Sequence, residues 1–460
     1  MLSKSTKHNP NYLCKIVEIK NLRKHKNADR LLVFTVDGND IITSNETKEG
    51  TIGVYFPLEC QISTDYLKAN NEYKTKELNS DVNAPTGFFE EKGRVKALRL
   101  RQEKSMGYVA PISTFQYLLG DKYTDLSKHI GEEFDTLNGH EIVKKYVVKQ
   151  QGGGLTKQQN KKVRESKIIE NQFRLHYDTA QLAKNLHRLD PESIISISWK
   201  LHGTSFVSSK VLCKRPLKWY EKVLQSIGVK IDNAEYSGVY SSRKVIKNED
   251  INTNPSHYYK YDLWKDIHKQ FEANLLDGES IYGECVGYTA DGGAIQKGYD
   301  YGCKPGENKV YIYRITHTNP SGKVIDLPYN MVMERAEQLG VEACPFIYFG
   351  PASAYYGNDV FTPGELGDNS PIFAGKKPTE LWREEFLNVL KQEYVHDQNC
   401  QFCTNKVPAE GIVLRIEGLK AEALKLKAFA FLERETKELD KGEVNIEDAQ
   451  SNEEDDSTAQ

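Results

Sequence analysis

The stretch Trp199-Lys200-Leu201-His202-Gly203-Thr204-Ser205 decides how this chain is interpreted. The residues from Ile194 to Trp199 favour a strand that ends in the lysine, and Gly203 allows a sharp turn directly after it. A lysine at the end of a rigid strand is a candidate nucleophile, because its pKa falls when it is desolvated or crowded by cations. The alternative is a solvated lysine on an edge strand, which the Lys-x-x-Gly pattern alone favours.

The composition limits the class of protein. A length of 460 residues predicts two or three domains with hydrophobic cores. The net charge is −3, but residues 433–460 carry 11 acidic and 3 basic side chains, which leaves residues 1–432 with a net charge of +5. A mildly basic body permits nucleic acid as a partner without requiring it.

The sequence also predicts where the protein works. No apolar segment follows Met1, and no apolar run reaches the length of about 18 residues that a membrane helix needs. The cysteines are scattered without the spacing of a small disulfide-rich domain, which favours a reducing compartment. We therefore expect a cytoplasmic monomer without a membrane partner.

Residues 1–148 predict a small β-barrel or sandwich, because short strand-like runs alternate with turn signals such as Asp37-Gly38-Asn39. Two basic stretches, residues 20–30 and 92–104, are candidate nucleic-acid contacts, and Phe88, Phe89 and Tyr108 could stack on bases. A solvated charged face is the equally weighted alternative. The candidate RNA-binding side chains are Arg23, Lys24, Lys26, Arg30, Lys96, Arg99 and Arg101.

The rest of the chain divides into three segments. Residues 149–167 are polar and contain three consecutive glycines, which predicts a linker. Residues 168–432 predict a mixed α/β domain with antiparallel strands, and helical periodicity falls on residues 262–275, 330–339 and 378–395. Residues 433–460 are acidic and poor in apolar residues, which predicts a disordered tail.

Several predicted strands of residues 168–432 each carry one or two charged side chains. Arg243 follows a strand-like run, Glu284 ends another, and Glu410 begins a third. In Leu424-Lys425-Leu426-Lys427 the alternation places both lysines on one face of a strand. Each of these features alone is more often an exposed or ion-paired surface group.

In this order, the motifs resemble the covalent nucleotidyltransferases. Lys200-Leu201-His202-Gly203 with Glu410-Gly411-Ile412-Val413-Leu414 is similar to the RNA ligase branch, whereas DNA ligases and capping enzymes usually carry aspartate before the glycine. In the N-terminal region, residues 26–33 and 105–108 resemble the oligonucleotide-binding (OB) barrel of tRNA-binding domains. The whole is most similar to the Deinococcus-type RNA ligases. This implies an α+β fold, in which an OB-like β-barrel precedes an ATP-grasp-like nucleotidyltransferase domain with antiparallel sheets.

The resemblance implies an ATP-dependent RNA ligase that joins 3′-hydroxyl and 5′-phosphate ends, of nicked or duplexed RNA or of an RNA/DNA hybrid, through lysyl–AMP and RNA–adenylate. Lys200 is then the nucleophile, and Lys425 and Lys427 contact the α-phosphate and lower the pKa of Lys200. Glu410 binds Mg²⁺ or Mn²⁺. The remaining implied nucleotide contacts are His202, Gly203, Glu284 to the ribose, Tyr313 (or Tyr311) to adenine and Arg243 to the sugar–phosphate.

Two other functions remain open, a GTP-dependent RNA-capping nucleotidyltransferase and a catalytically silent RNA-binding protein. Trp199 stands directly before the candidate nucleophile, where ligases of this branch often carry glutamate. This difference leaves open which nucleobase, adenine or guanine, the site recognises. The glycine-rich residues 291–298 lack the spacing of a P-loop. Cys400-x-x-Cys403, with His396 and Cys344, is a minority candidate for zinc, and reduced cysteines are the preferred interpretation.

Overall fold

The computed structural model describes residues 2–6, 8–147, 167–176, 179–248, 259, 261–356 and 378–443. The chain forms two compact units. The first comprises residues 1–148, 180–186 and 429–443, and the second comprises residues 149–179, 187–428 and 444–460. Residues 149–166 of the predicted linker and residues 444–460 of the predicted tail lie outside the described residues. No helix in the described part of the chain is long and apolar enough to cross a membrane.

In its described residues, the first unit contains short strands and three α-helices. The helices are Thr64–Ala69, Gln116–Leu119 and Phe429–Asp440. The strands are Leu2–Ser3, Cys14–Glu18, Arg23–Lys24, Leu31–Val36, Asn39–Ser44, Ile52–Phe56, Cys60–Ile62, Ala97–Leu100, Glu103–Met106, Tyr108–Pro111, Glu133–Phe134, Thr136–Leu137, His140–Glu141, Val143–Lys145 and Ala180–Gln181.

Apart from Ala180–Gln181, these strands pair with one another in several small antiparallel sheets. The predicted turn at Asp37-Gly38 is confirmed, because both residues have positive φ and join strands Leu31–Val36 and Asn39–Ser44 in a tight hairpin. The largest of these sheets orders strands Tyr108–Pro111, Ile52–Phe56, Cys14–Glu18 and Glu133–Phe134. Among the described residues no sheet of this unit closes into a barrel, so the OB-like barrel stays a prediction.

The helix Phe429–Asp440 belongs to the first unit. Phe429 and Leu432 pack into its hydrophobic core, and Arg94 Nη2 donates to Thr436 O at 2.9 Å and to Asp440 Oδ1 at 2.8 Å. The prediction of a disordered tail from residue 433 is therefore wrong for residues 433–440. The apolar anchors lie mostly before the first acidic residue, so the composition of the tail did not include them.

The second unit is mixed α/β, as predicted. Its strands are β1 (Ile194–Lys200), β2 (Thr204–Lys214), β3 (Ala234–Ser242), β4 (Glu279–Gly287), β5 (Asn308–Thr318), β6 (Val324–Asp326), β7 (Glu342–Ala343), β8 (Phe346–Pro351), β9 (Gly411–Ile416) and β10 (Glu422–Lys427). Its helices are α1 (Trp219–Ser226), α2 (Leu263–Phe271), α3 (Tyr329–Gln338), α4 (Ala352–Tyr355) and α5 (Pro378–Tyr394). The helices predicted over residues 262–275, 330–339 and 378–395 are confirmed by α2, α3 and α5.

Two sheets organise this unit. The first, here called the lysine sheet, contains the antiparallel strands β10, β9, β1 and β8 in that order. The second, here called the carboxylate sheet, contains β3, β2, β4, β5 and β6, with β7 pairing parallel to β5. Buried residues of α2, including Trp264 and Phe271, pack on the carboxylate sheet against Phe206 and Ile281. The chain crosses from one sheet to the other between β1 and β2, through residues 201–203.

Candidate active site

The register of the lysine sheet brings three lysines to one face. Lys200 at the end of β1 lies opposite Gly411 on β9, and Gly411 also lies opposite Lys427 on β10. Residues directly opposite each other share a face of a sheet, as do residues two apart on one strand. Leu424 and Leu426 are buried while Lys425 and Lys427 are partly exposed, so Lys425, Lys427 and Lys200 share one face.

Glu410 forms an ion pair with the candidate nucleophile. Lys200 Nζ lies 2.8 Å from Glu410 Oε1, and His202 Nδ1 lies 3.8 Å from Oε2 of the same carboxylate. The glutamate side chain is only 4% exposed, and its Oε2 has no hydrogen-bond partner in the part of the chain that the structure describes. A buried carboxylate oxygen without a donor is costly, and it is a ligand that a divalent cation accepts.

Glycine is required at position 411, next to Glu410, because strands β9 and β10 pack closely there. Its φ is +138°, and a Cβ at this position would lie 2.1 Å from Leu426 O on β10. Only glycine can therefore hold the backbone of β9 this close to β10. This explains why glycine follows the glutamate in Glu-Gly-Ile-Val-Leu.

Glu284 on β4 holds the turn that follows Lys200. Its Oε1 accepts a hydrogen bond from Gly203 N at 3.0 Å, and its Oε2 accepts one from Ser205 Oγ at 3.1 Å. Gly203 packs so closely against β4 that an added Cβ would lie 2.2 Å from Cys285 O. The sequence suggests a sharp turn as the reason for this glycine, whereas the structure shows a close approach of the turn to β4.

The loop after β4 contributes residues that the motifs do not include. Gln296 Nε2 donates to Gly203 O at 2.7 Å, and His202 N donates to Tyr301 Oη at 2.6 Å. The ring of Tyr299 packs edge-on against His202, with centroids 4.8 Å apart. The glycine-rich run of residues 291–298 signals this loop, but nothing in the sequence assigns Gln296 or Tyr301 to it.

Trp199 points away from the lysines, because neighbouring residues of a strand face opposite sides. Its ring packs edge-on against Tyr394, at 5.6 Å between centroids, and against Phe402, at 6.1 Å. The departure from the usual glutamate therefore creates an aromatic packing contact on the other face of the lysine sheet.

The remaining predicted nucleotide contacts lie on the carboxylate sheet. Tyr311 lies directly opposite Glu284 and is buried, whereas Tyr313 lies at a shift of register and its Oη is 3.2 Å from His176 Nδ1. The structure thus places the alternative tyrosine, not the preferred one, beside Glu284. Arg243 directly follows β3, whose last residue Ser242 pairs with Phe206 on β2.

The predicted RNA-binding side chains of the first unit fall into two groups. Arg23 pairs with Glu103 at 2.9 Å, and Lys96 pairs with Glu90 at 2.6 Å and with Asp440 at 3.0 Å. Arg99 lies 3.6 Å from Glu433 and over the ring of Phe429. Another group is exposed and carries no side-chain ion pair with any described residue; it comprises Lys24, Lys26, Arg30 and Arg101.

The predicted zinc ligands do not form a metal centre. No group of three or more histidine, cysteine or acidic side chains is arranged to hold a metal ion among the described residues. All eight cysteines are free, Cys344 is buried, and His396 Nδ1 is hydrogen-bonded to Gln392 O.

Comparison with known proteins decides the family. A family model described as RNA ligase matches residues 194–427, just over half of the chain, and this span contains strands β1 to β10. The chain belongs to the RNA ligase family. No curated protein matches this RNA ligase.

Solved structures show the same fold. A Naegleria gruberi RNA ligase variant with AMP and Mn has 14% identity and a TM-score of 0.51, covering 92% of this chain and 98% of that chain. Another variant with AMP and Mn has 13% identity and a TM-score of 0.52 over the same shares. A variant with ATP and Mn has 15% identity and a TM-score of 0.51, again over 92% and 98%.

Proposed function

We propose that this protein is an ATP-dependent RNA ligase that joins a 3′-hydroxyl to a 5′-phosphate through lysyl–AMP and RNA–adenylate intermediates. The observation that carries the proposal is the ion pair of Lys200 with the buried Glu410, on the face of the sheet that also presents Lys425 and Lys427. A cationic face around one amine suits a polyphosphate substrate.

In the first step, Lys200 Nζ attacks the α-phosphorus of ATP, a P–N bond forms, and the bond to pyrophosphate breaks. The ammonium must lose a proton to attack, and Glu410 Oε1 at 2.8 Å is a carboxylate within reach of that proton. Lys425 and Lys427 offset the negative charge of the phosphate oxygens as pyrophosphate leaves.

The next two steps repeat the displacement at phosphorus. An oxygen of the RNA 5′-phosphate attacks the phosphorus of lysyl–AMP, and Lys200 leaves to give RNA–adenylate. The RNA 3′-hydroxyl then attacks the former 5′-phosphate, and AMP leaves. Since both steps need in-line positioning, the hydrogen bonds of Glu284 and Gln296 to Gly203 serve catalysis by fixing the turn after Lys200.

A divalent cation fits beside Glu410. Its unsatisfied, buried Oε2 is an oxygen ligand of the kind that Mg²⁺ and Mn²⁺ accept, and we propose that Glu410 holds the ion directly or through water. When bound, the ion neutralises phosphate charge. For the nucleotide, we propose ribose contacts from Glu284, sugar–phosphate contacts from Arg243, and adenine stacking on Tyr311 or Tyr313.

We propose that the first unit is the RNA-binding module, of the OB-like type found in Deinococcus-type ligases, and that residues 168–432 carry out adenylylation. The exposed cations Lys24, Lys26 and Arg30, with the half-exposed ring of Phe88 stacked on Phe89, support this division. Replacing the three cations by alanine should make the fall of log RNA affinity with log salt concentration less steep, by about 2 in slope. Replacing Lys48, Lys76 and Lys122 is the matched control, and an equal loss from both triple variants would contradict this RNA surface.

The experiment that separates the candidate functions is incubation with α-labelled ATP or GTP and Mg²⁺. A covalent label from ATP that survives denaturation, followed by sealing of nicked RNA, is the expected result. A label from GTP alone would support capping, and no label from either would support a silent RNA-binding protein. Lys214→Ala, at an exposed lysine that ends β2, is the control for loss of a positive charge.

A further inference from the structure

A short hairpin over residues 398–409 leads directly into Glu410. Cys400 N donates to Val407 O at 2.7 Å, and Ala409 N donates to Gln398 O at 3.0 Å, so the two arms run antiparallel. Residues 401–402 form the turn at the start of the hairpin, which makes Cys400 and Cys403 its first and last residues. The proposed ligase chemistry uses neither of these thiols.

The two cysteines are placed for a disulfide bond. A reverse turn brings its first and last Cα atoms within about 7 Å, and a disulfide spans Cα distances of about 4.4–6.8 Å. The adjacent Cys403 thiol and the backbone amides of Phe402 and Cys403 lower the pKa of Cys400 to about 7, so the thiolate that reacts with oxidants is favoured there.

The two cysteines differ in their exposure to solvent. Cys400 is buried at 8% exposure, whereas Cys403 is partly exposed. A small oxidant can reach this turn, while a bulky thiol reagent meets Cys403 first. A tetrahedral zinc site would need further ligands, and among the described residues no third cysteine, histidine or carboxylate completes one with this pair.

We propose that Cys400 and Cys403 form an oxidisable dithiol that closes to a disulfide in response to hydroperoxides. The Cys400 thiolate attacks one peroxide oxygen, the O–O bond breaks, and hydroxide leaves, which gives a sulfenic acid. The Cys403 sulfur then attacks the Cys400 sulfur, the S–O bond breaks, and water leaves. Together the thiols give up two electrons and two protons, and hydrogen peroxide is reduced to two molecules of water.

The hairpin connects this pair to the site around Lys200. The ring of Phe402, between the two cysteines, contacts Trp199, the neighbour of Lys200. The amides of Thr404 and Asn405 donate to Asp300 at 2.8 and 2.9 Å, and the adjacent Tyr301 accepts from His202 N. Closing the disulfide tightens the turn that carries Phe402. We infer that oxidation slows adenylylation, and this consequence rests on the proposed function, whereas the disulfide itself does not.

The first test uses the full-length protein, treated with hydrogen peroxide, alkylated under denaturing conditions and mapped by peptide mass spectrometry. A disulfide-linked Cys400–Cys403 peptide that dithiothreitol reverses is the expected result. Cys303→Ser is the control, because Cys303 is partly exposed like Cys403 but lies outside the turn, and this variant should still form the linkage. Oxidation of Cys400 and Cys403 no further than that of Cys303 would overturn the proposal, as would stoichiometric zinc in the untreated protein.

The second test measures transfer of label from ATP before and after oxidation. The oxidised protein should label roughly tenfold more slowly, since small displacements of an attacking group are costly. Dithiothreitol should restore the rate, and a Cys400→Ser, Cys403→Ser double variant should label equally with or without peroxide. An unchanged rate in fully oxidised protein would overturn the link to Lys200. Absence of label in the reduced protein would contradict the ligase proposal instead, and peptide mapping would still decide the dithiol.

Discussion

Two clusters of charge lie along the same face of the lysine sheet, and they differ in what surrounds them. The outer cluster is Lys200 with Glu410, in which the lysine side chain is 23% exposed. The inner cluster contains Arg415 near the end of β9, with Glu417 and Asp326, and none of these side chains is more than 6% exposed. A cationic side chain is therefore accessible at one end of the face and enclosed at the other.

The inner cluster is held by its own contacts. Arg314 Nε donates to Asp326 Oδ1 at 2.5 Å, Arg415 Nη2 donates to Leu327 O at 2.5 Å, and Ser196 Oγ donates to Glu417 Oε1 at 2.6 Å. Burial lowers the pKa of Arg415 and raises the pKa of Glu417. Enclosed charges of this kind fix the packing of β9. The outer cluster instead keeps an accessible amine, which is what a charged substrate needs.

The largest expected effect is at the outer cluster. Lys200→Arg keeps the positive charge beside Glu410 but removes the nucleophilic amine, so the covalent label from ATP should fall by roughly 10³-fold or more. The melting temperature should be unchanged, because the ion pair is retained. A label of normal intensity on this variant, measured after denaturing electrophoresis, would remove Lys200 from the mechanism.

A substitution in the inner cluster should lower the stability of the fold. Asp326→Ala removes the carboxylate that Arg314 contacts and one of the two carboxylates beside the buried Arg415, so the free energy of unfolding should fall by about 3–5 kcal/mol. Urea denaturation measures the change. Asp277→Ala is the matched control, since the pair of Lys210 with Asp277 is largely exposed and should contribute at most about 1 kcal/mol. Equal losses in the two variants would contradict the distinction between enclosed and accessible charge.

Glu410→Gln tests the unsatisfied oxygen. The amide keeps the shape but loses the charge that pairs with Lys200 and attracts a cation, so labelling should fall by roughly 10²-fold. In a titration with Mn²⁺, the variant should need a higher metal concentration than the native protein to reach half-maximal labelling. An unaltered metal dependence would place the cation elsewhere.

The turn after Lys200 should show a smaller effect. Gln296→Leu leaves Gly203 O without its side-chain donor and should slow labelling by roughly tenfold, with the KM for ATP nearly unchanged. Gln225→Leu, on the exposed helix α1, is the control and should label at the native rate. A rise in KM without a fall in kcat would mean that Gln296 binds nucleotide and does not position the turn.

The smallest effect concerns Asp300. Burial alone would raise the pKa of Asp300, but the amides of Gly302, Thr404 and Asn405 outweigh it, so the pKa lies below its ordinary value of 3.8. A lowered pKa stabilises the fold at pH values above the unfolded value, and this contribution is lost as the pH falls through the folded value. Asp300→Asn should therefore melt roughly 2 °C lower near neutrality. A difference that grows as the pH falls below 3.8 would contradict this sign.

The sequence predicted the parts of the site that depend on local pattern. The Lys425/Lys427 alternation and the helices α2, α3 and α5 follow from periodicity, which the structure confirms. Contacts made across long sequence separations could not be predicted in this way. Gln296 reaches Gly203, and Tyr301 reaches His202, only because the two sheets meet at residues 201–203.

One mistake has a clear physical cause. Composition averaged over residues 433–460 hid the helix Phe429–Asp440, whose apolar anchors begin before the acidic run. The register shift between Tyr282 and Gly283, which brings Tyr311 opposite Glu284, also has no signal in the sequence, and the choice between Tyr311 and Tyr313 for adenine stays a proposal. Neither the shift nor the outward packing of Trp199 is visible without the pairing of strands.

The central claim is that Lys200 is the residue that takes AMP from ATP. The most direct measurement is peptide mapping by mass spectrometry of full-length protein incubated with ATP and Mg²⁺ and then denatured, with the reaction kept from acid. The account predicts one AMP on the peptide that contains Lys200, and none on the peptides that contain Lys425 or Lys427. An adduct on either of those lysines, with Lys200 unmodified, would contradict it.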